Sequence, residues 1–139
     1  MMFRTLHKAD LDTFRPNVFS TTEGVEHVFD ENKYNQYVLI DDENPEKEGE
    51  TLAIICFQET EPRIWGGFML ISRVFTKRHA RALKAFIDIK AKELNAEQLW
   101  TLSERHPILS KWHEILGMQK IGENVVNNTE CDMWSRQWV

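Results

Sequence analysis

Between Ile64 and Ser103 the chain passes once through each of the two periods that secondary structure imposes on a sequence. Ile64 to about Val74 is a nearly unbroken apolar run, which reads as a strand. From Thr76 to Leu94 the apolar residues stand at 80, 83, 86, 87, 91 and 94, the spacing of one helical face. Gln98 to Ser103 returns to a short strand. A strand, a helix and a strand in that order predict a parallel crossover with the helix packed on a sheet. Trp65-Gly66-Gly67 opens the first of these strands, and glycine in a strand marks a bulge or a close backbone approach.

The remaining segments supply partners for that unit. Met2 to Leu6 alternates as a first strand, and Asp10 reads as the cap of a short helix carrying Leu11 and Phe14, ended by Pro16. Thr21 or Thr22 opens a second helix, with Val25, Val28 and Phe29 on one side. Tyr37 to Ile40 and Thr51 to Phe57 are strands, and Pro62 separates the second from Ile64 in a hairpin. Pro107 suits the first turn of a helix whose apolar face is Ile108, Leu109, Trp112, Ile115 and Leu116, closed by Gly117. Met118 to Val126 and Cys131 to Trp138 are two last strands turning at Asn127-Asn128. The order is β-α-α-β-β-β-α-β-α-β-β, an α/β (α+β mixed sheet) chain forming one domain over residues 1–139.

One helix start conflicts with its own electrostatics. The first turns after Thr76 carry Lys77, Arg78, His79, Arg81 and Lys84, where the positive end of the helix dipole favours anions. A bound phosphate is the commonest resolution. The chain as a whole is acidic, 17 basic against 22 acidic residues. That balance excludes a general nucleic-acid or membrane-binding surface and leaves the basic cluster as a local feature. Residues 41–50 hold six acidic side chains among ten, with Asn44-Pro45 and Gly49, and read as a solvated loop. Cys56 and Cys131 lie in no metal-ligand spacing, so no metal is expected, and two cysteines fit a reduced compartment. With no signal-like or membrane-length apolar run, the expected location is cytoplasmic.

The element order and two local motifs resemble the GCN5-related N-acetyltransferase (GNAT) family over essentially the whole chain. FRTLHKADL is similar to the family's first strand and following Asp. Trp112-His113-Glu114-Ile115-Leu116-Gly117-Met118 resembles the end of its fourth helix, where an aromatic, a tyrosine, two polar residues and Leu-Gly-Phe are usual. The small size and degenerate motifs are most like the GNAT-like proteins of short-tailed phages. The resemblance implies a GNAT-like acyl-CoA N-acyltransferase fold with acetyl-CoA as co-substrate. It assigns the pyrophosphate turn, Gln/Arg-x-x-Gly-x-Gly/Ala in the family, to Lys77, Arg78, His79, Ala80, Arg81 and Ala82, with Ala80 replacing the glycine. It assigns backbone contacts to the pantetheine arm to Leu70, Ile71 and Ser72.

Acetyl transfer to an amine needs a base, a donor for the oxyanion and a proton for the leaving thiolate. The resemblance places His113 where the family often has its tyrosine, as proton donor or base. Glu104 is the best-placed carboxylate base, at the end of the strand after the crossover. Its alternative is a loop acid pairing with Arg105 or Lys111. His106 stands where the family often has Asn, and His7 and His27 read as structural or surface residues. The expected activity is acetyl transfer from acetyl-CoA to an amine acceptor, small molecule or protein, and a homodimer is compatible with it. The alternative is a catalytically degenerate GNAT-fold protein acting as a binding or phage-associated accessory protein, with nucleic-acid binding the poorest fit.

Overall fold

The computed structural model describes residues 1–14, 35–42 and 50–138. The expected second helix at Thr21 or Thr22, Pro16, His27 and most of the acidic loop lie outside them. The strands are β1 (Met2–Thr5), β2 (Asn35–Asp41), β3 (Glu50–Glu61), β4 (Ile64–Ile71), β5 (Gln98–Glu104), β6 (Gln119–Val126) and β7 (Thr129–Gln137). The helices are α1 (Lys8–Thr13), α2 (Lys77–Glu93) and α3 (Pro107–Ile115). The strands form one mixed seven-stranded sheet in the order β1-β2-β3-β4-β5-β7-β6. No described helix is long and apolar enough to cross a membrane.

Contacts divide the chain into two compact units. The first comprises Met1–Gln58 and Phe68–Thr76. Within it β1 and β2 pair antiparallel, as do β2 and β3. Its core is Leu6, Phe14, Val38, Ile40, Ile54 and Cys56, with Phe68 and Leu70 packed against it. Burial among these apolar neighbours pushes the Cys56 thiol up to about 12, which keeps it protonated and unreactive. Asp10 was expected as a helix cap; the structure sets it one turn further in. His7 is the N-cap, and its N–H donates to Asp10 Oδ2 at 2.8 Å, the reciprocal half of a capping box. Arg4 then holds both Asp10 oxygens, at 2.8 and 2.6 Å, tying α1 to β1.

The second unit comprises Glu59–Gly67 and Lys77–Val139. β4 and β5 run parallel, pairing Ile64–Gly66 with Gln98–Trp100, as a crossover through α2 requires. The Pro62-Arg63 turn works because Arg63 takes a left-handed φ of 66°. A Cβ at Gly66 would come within 2.9 Å of the Trp100 ring, so the glycine marks a close approach and not only a strand start. In α2, Ala80, Leu83, Ile87 and Ala91 are buried, one stripe at helical period. α3 ends in a Schellman motif: Gly117 N–H donates to Glu114 and Met118 N–H to His113, with Gly117 at φ 79°. Asn127 and Asn128, at φ 50° and 65°, form the two-residue turn between β6 and β7. α2 and α3 pack on each other.

Two boundaries differ most from the sequence expectation. β3 runs on to Glu61, because a polar strand end survives once its ladder is formed. β4 stops at Ile71 and not Val74. There the Ser72 hydroxyl accepts from Val74 N–H at 3.3 Å and turns the chain.

Candidate functional site

All six residues assigned to the pyrophosphate turn, Lys77 to Ala82, lie inside α2 and make up its first turns. They are helical, not an extended turn preceding a helix. Ala80 is completely buried on the core stripe of α2. The first-turn N–H groups of Lys77, Arg78 and His79 have no carbonyl one turn earlier inside the helix, as at every helix start. No acidic residue lies in that turn. Lys77 and Arg81, four apart and on one face, are exposed and form no ion pair among the described residues. Lys84, a turn later, reaches Asp88 at 3.5 Å. The start of α2 is therefore an anion-attracting helix end with two exposed cations.

Leu70, Ile71 and Ser72 belong to the first unit. Leu70 packs on its core, and Ile71 and Ser72 are buried. The backbone of Ser72 is already engaged: its N–H donates to Leu52 O at 2.8 Å and its carbonyl accepts from Phe75 N–H at 3.2 Å.

His113 is buried, although a position beside Trp112 reads as half exposed. Its ring stacks on Trp134 of β7, centroids 5.1 Å apart and planes 11° from parallel. Nδ1 lies 2.7 Å from the Leu109 carbonyl, so Nδ1 carries the hydrogen and Nε2 is the basic nitrogen. Burial lowers its pKa, against the opposing effects of the Leu109 bond and the Asp132 charge. His113 is thus neutral at pH 7, the form of a proton acceptor.

Trp134 shares its sheet face with a charged network. β6 pairs with β7 through a bulge: Lys120 faces Trp134, Gly122 faces Met133, and Ile121 is the extra residue. The bulge brings Lys120 and Glu123, three apart, to one face. Lys120 Nζ lies 2.6 Å from Glu123 and 3.3 Å from buried Asp132. Arg105, just past β5, holds Asp132 at 2.9 Å and Glu123 and Glu130 at 3.2 Å each. Burial works to raise the Asp132 carboxyl, but the Arg105 and Lys120 hydrogen bonds hold it below the ordinary carboxylate range.

Glu104 is exposed at the end of β5 and forms no ion pair among the described residues; Arg105 is engaged by other acids. It is not grouped with His113. Thr101 registers with Trp134, and Glu104, three residues on, registers with Cys131. Alternation therefore starts the Glu104 side chain from the sheet face opposite the one His113 stacks on. His106 caps α3, its Nδ1 accepting from Ile108 N–H at 3.1 Å. Asp132 and Trp134 were not singled out from sequence. Their signal was present: Asp132 shares period-two spacing with an aromatic expected to be buried, and a buried carboxylate demands a cation.

No protein-family model matches the chain, and no curated protein sequence does. Solved structures do match. An F149A mutant of the spermidine N-acetyltransferase SpeG from Vibrio cholerae gives a TM-score of 0.70 at 15% identity, covering 99% of this chain and 95% of that one. The ribosomal-protein-S5-alanine acetyltransferase from Vibrio fischeri gives 0.67 at 15% identity, covering 97% and 91%. A GNAT-family acetyltransferase from Bacillus anthracis gives 0.67 at 13%, covering 97% and 93%. At such identities the likeness establishes the fold: this chain has the fold of GNAT acetyltransferases, along nearly its whole length.

Proposed function

We propose that this chain is an N-acetyltransferase that passes an acetyl group from acetyl-CoA to an amine acceptor. The observation that carries the reading is the start of α2, with exposed Lys77 and Arg81, no acidic first turn and Ala80 facing the core. These residues fit a diphosphate, with the first-turn N–H groups and two cations as its donors. The fold likeness to acetyltransferases supports the same reading. Acetyl-CoA supplies the activated thioester when bound. In this reading His113 takes the proton that the acceptor amine must lose, through Nε2, with the Leu109 carbonyl holding its tautomer. Leu70 and Ile71 remain the proposed backbone contacts of the pantetheine arm, and Glu104 stands apart from the proton path.

A thermal-shift titration tests it. Acetyl-CoA is expected to raise the Tm by several degrees at saturating concentration. The Lys77→Glu, Arg81→Glu double variant is expected to lose that shift while keeping its unliganded Tm, since both side chains are exposed. Absence of any shift with millimolar acetyl-CoA or CoA overturns the proposal. A panel of small amines and peptide N-termini, read by release of free CoA thiol, then identifies the acceptor.

A further inference from the structure

The solvent face of α2 carries a pattern, running well past its first turns, that the acetyl-transfer reading does not use. The helix holds six lysines and arginines and two carboxylates, Asp88 and Glu93. Both carboxylates are already engaged: Lys84 reaches Asp88 at 3.5 Å, and Lys90 reaches Glu93 at 2.9 Å. Asp88 also accepts from Arg136 at 3.4 Å and from the Trp138 indole at 2.9 Å. Arg81 and Lys92 are exposed and form no ion pair among the described residues. Arg81, Ala85, Ile89 and Lys92, spaced by four, four and three, share one exposed helical face, opposite the buried Leu83, Ile87 and Ala91.

Ile89 is 58% exposed, more than any other large apolar residue of the described helices. A lone exposed isoleucine is ordinary on a surface. This one stands between two cations, on a face that offers no carboxylate of its own. Arg81 and Lys92 lie about 16 Å apart along the axis, at about 1.5 Å per residue. Such a face complements a segment that carries carboxylates on either side of an apolar residue. A nucleic-acid backbone fits it worse. Phosphates would run along Ala85 and Ile89, where the face has no cation, and the whole chain is acidic, 17 basic against 22 acidic residues. An anionic membrane surface also fits worse, because one isoleucine is too little apolar face to enter it.

We infer that the outer face of α2 docks an acidic segment of a partner protein, an apolar side chain of that segment seated on Ala85 and Ile89 and its carboxylates on Arg81 and Lys92. Arg81 is shared with the proposed diphosphate site. The test variants therefore stand at Ile89 and Lys92, where failure of one proposal leaves the other intact. The probe is a fluorescein-labelled helical peptide of about sixteen residues, rich in Glu, with Leu at every third or fourth position. In fluorescence anisotropy with the full chain it is expected to bind saturably, and more weakly as potassium chloride is raised. The same peptide with Ala in place of Leu, equal in charge, is expected to bind about fivefold more weakly or less. Ile89→Ser and Lys92→Glu, both at exposed positions, are expected to keep the native Tm and each to weaken the leucine peptide about fivefold or more. No saturable binding, affinity unchanged in either variant, or a single-stranded oligonucleotide of equal charge binding as tightly as the peptide would each overturn the inference. Self-association in sedimentation that Ile89→Ser abolishes would assign the face to a second copy of this chain and overturn it too.

Discussion

The imidazole of His113 lies nearly parallel to the indole of Trp134, with ring centroids 5.1 Å apart. That contact places a titratable ring inside the second unit, and its pH consequence has a definite sign. Burial lowers the folded pKa below the ordinary value of 6.5, so the unfolded chain binds the proton more readily. Stability is then unaffected above that value and falls as pH drops below it. Thermal melts at pH 8 and pH 5.5 should show a loss for the native chain that is smaller in His113→Gln. An equal loss in both would mean that His113 does not carry this pH dependence. In the proposed reaction the same variant should lower kcat more than KM, because it removes a proton acceptor and not a binding group.

The GNAT resemblance assigns Ala80 to a glycine position of a pyrophosphate turn, and the structure puts that residue on the buried stripe of α2. The methyl group is fully buried on the core stripe of α2. Ala80→Gly should leave acetyl-CoA binding unchanged and cost roughly 1–2 kcal/mol, from helix propensity and lost burial. Chemical denaturation measures the loss, and a thermal-shift titration measures the binding. Tighter acetyl-CoA binding in the glycine variant would show that the Ala80 methyl restricts the helix end.

Gly66 sits under the Trp100 ring, with no room for a side chain: a Cβ would stand 2.9 Å from Trp100 Cζ2 and 3.3 Å from the Thr60 methyl. Gly66→Ala should cost roughly 1–3 kcal/mol by forcing the indole aside. It should also break the 3.4 Å bond from Trp100 Nε1 to Thr60. Denaturant midpoints report the first effect, and the indole N–H resonance reports the second.

Asp132 is the centre of the Arg105 and Lys120 network. Its carboxyl is held below the ordinary range, so it contributes stability above about pH 4 that disappears as pH falls through the lowered folded value. Asp132→Asn should lower the Tm at pH 7 and flatten the acid limb between pH 4 and pH 2. Amides of the exposed β6–β7 turn should exchange faster in the variant, because Arg105 loses its shortest tie to β7. A Tm at pH 7 equal to that of the native chain would show that the network adds nothing to stability.

Much of the fold was legible locally. The stripe at 80, 83, 87 and 91 is buried as its period demands, and β4-α2-β5 is a parallel crossover. Pro107 opens α3, Gly117 closes it in a left-handed conformation, and Asn127-Asn128 makes the last turn. Each of these depends on residues a few positions apart. The candidate site was legible only in part, because its chemistry depends on which side chains share a face. His113 and Glu104 were both reasonable proton acceptors in sequence, yet the sheet register starts them from opposite faces. Arg105 was a possible partner for Glu104 and instead binds Asp132, Glu123 and Glu130.

The sequence by itself therefore determined the succession of strands and helices, their caps and turns, and the basic start of α2. These follow from backbone dihedral preferences and from apolar periodicity, both short-range. Tertiary structure alone decided that His113 is neutral against Trp134 and that the bulge at Ile121 gathers Lys120, Glu123 and Asp132. Those outcomes depend on pairing register and on desolvation by residues distant in the chain, and neither is set by any residue's immediate neighbours.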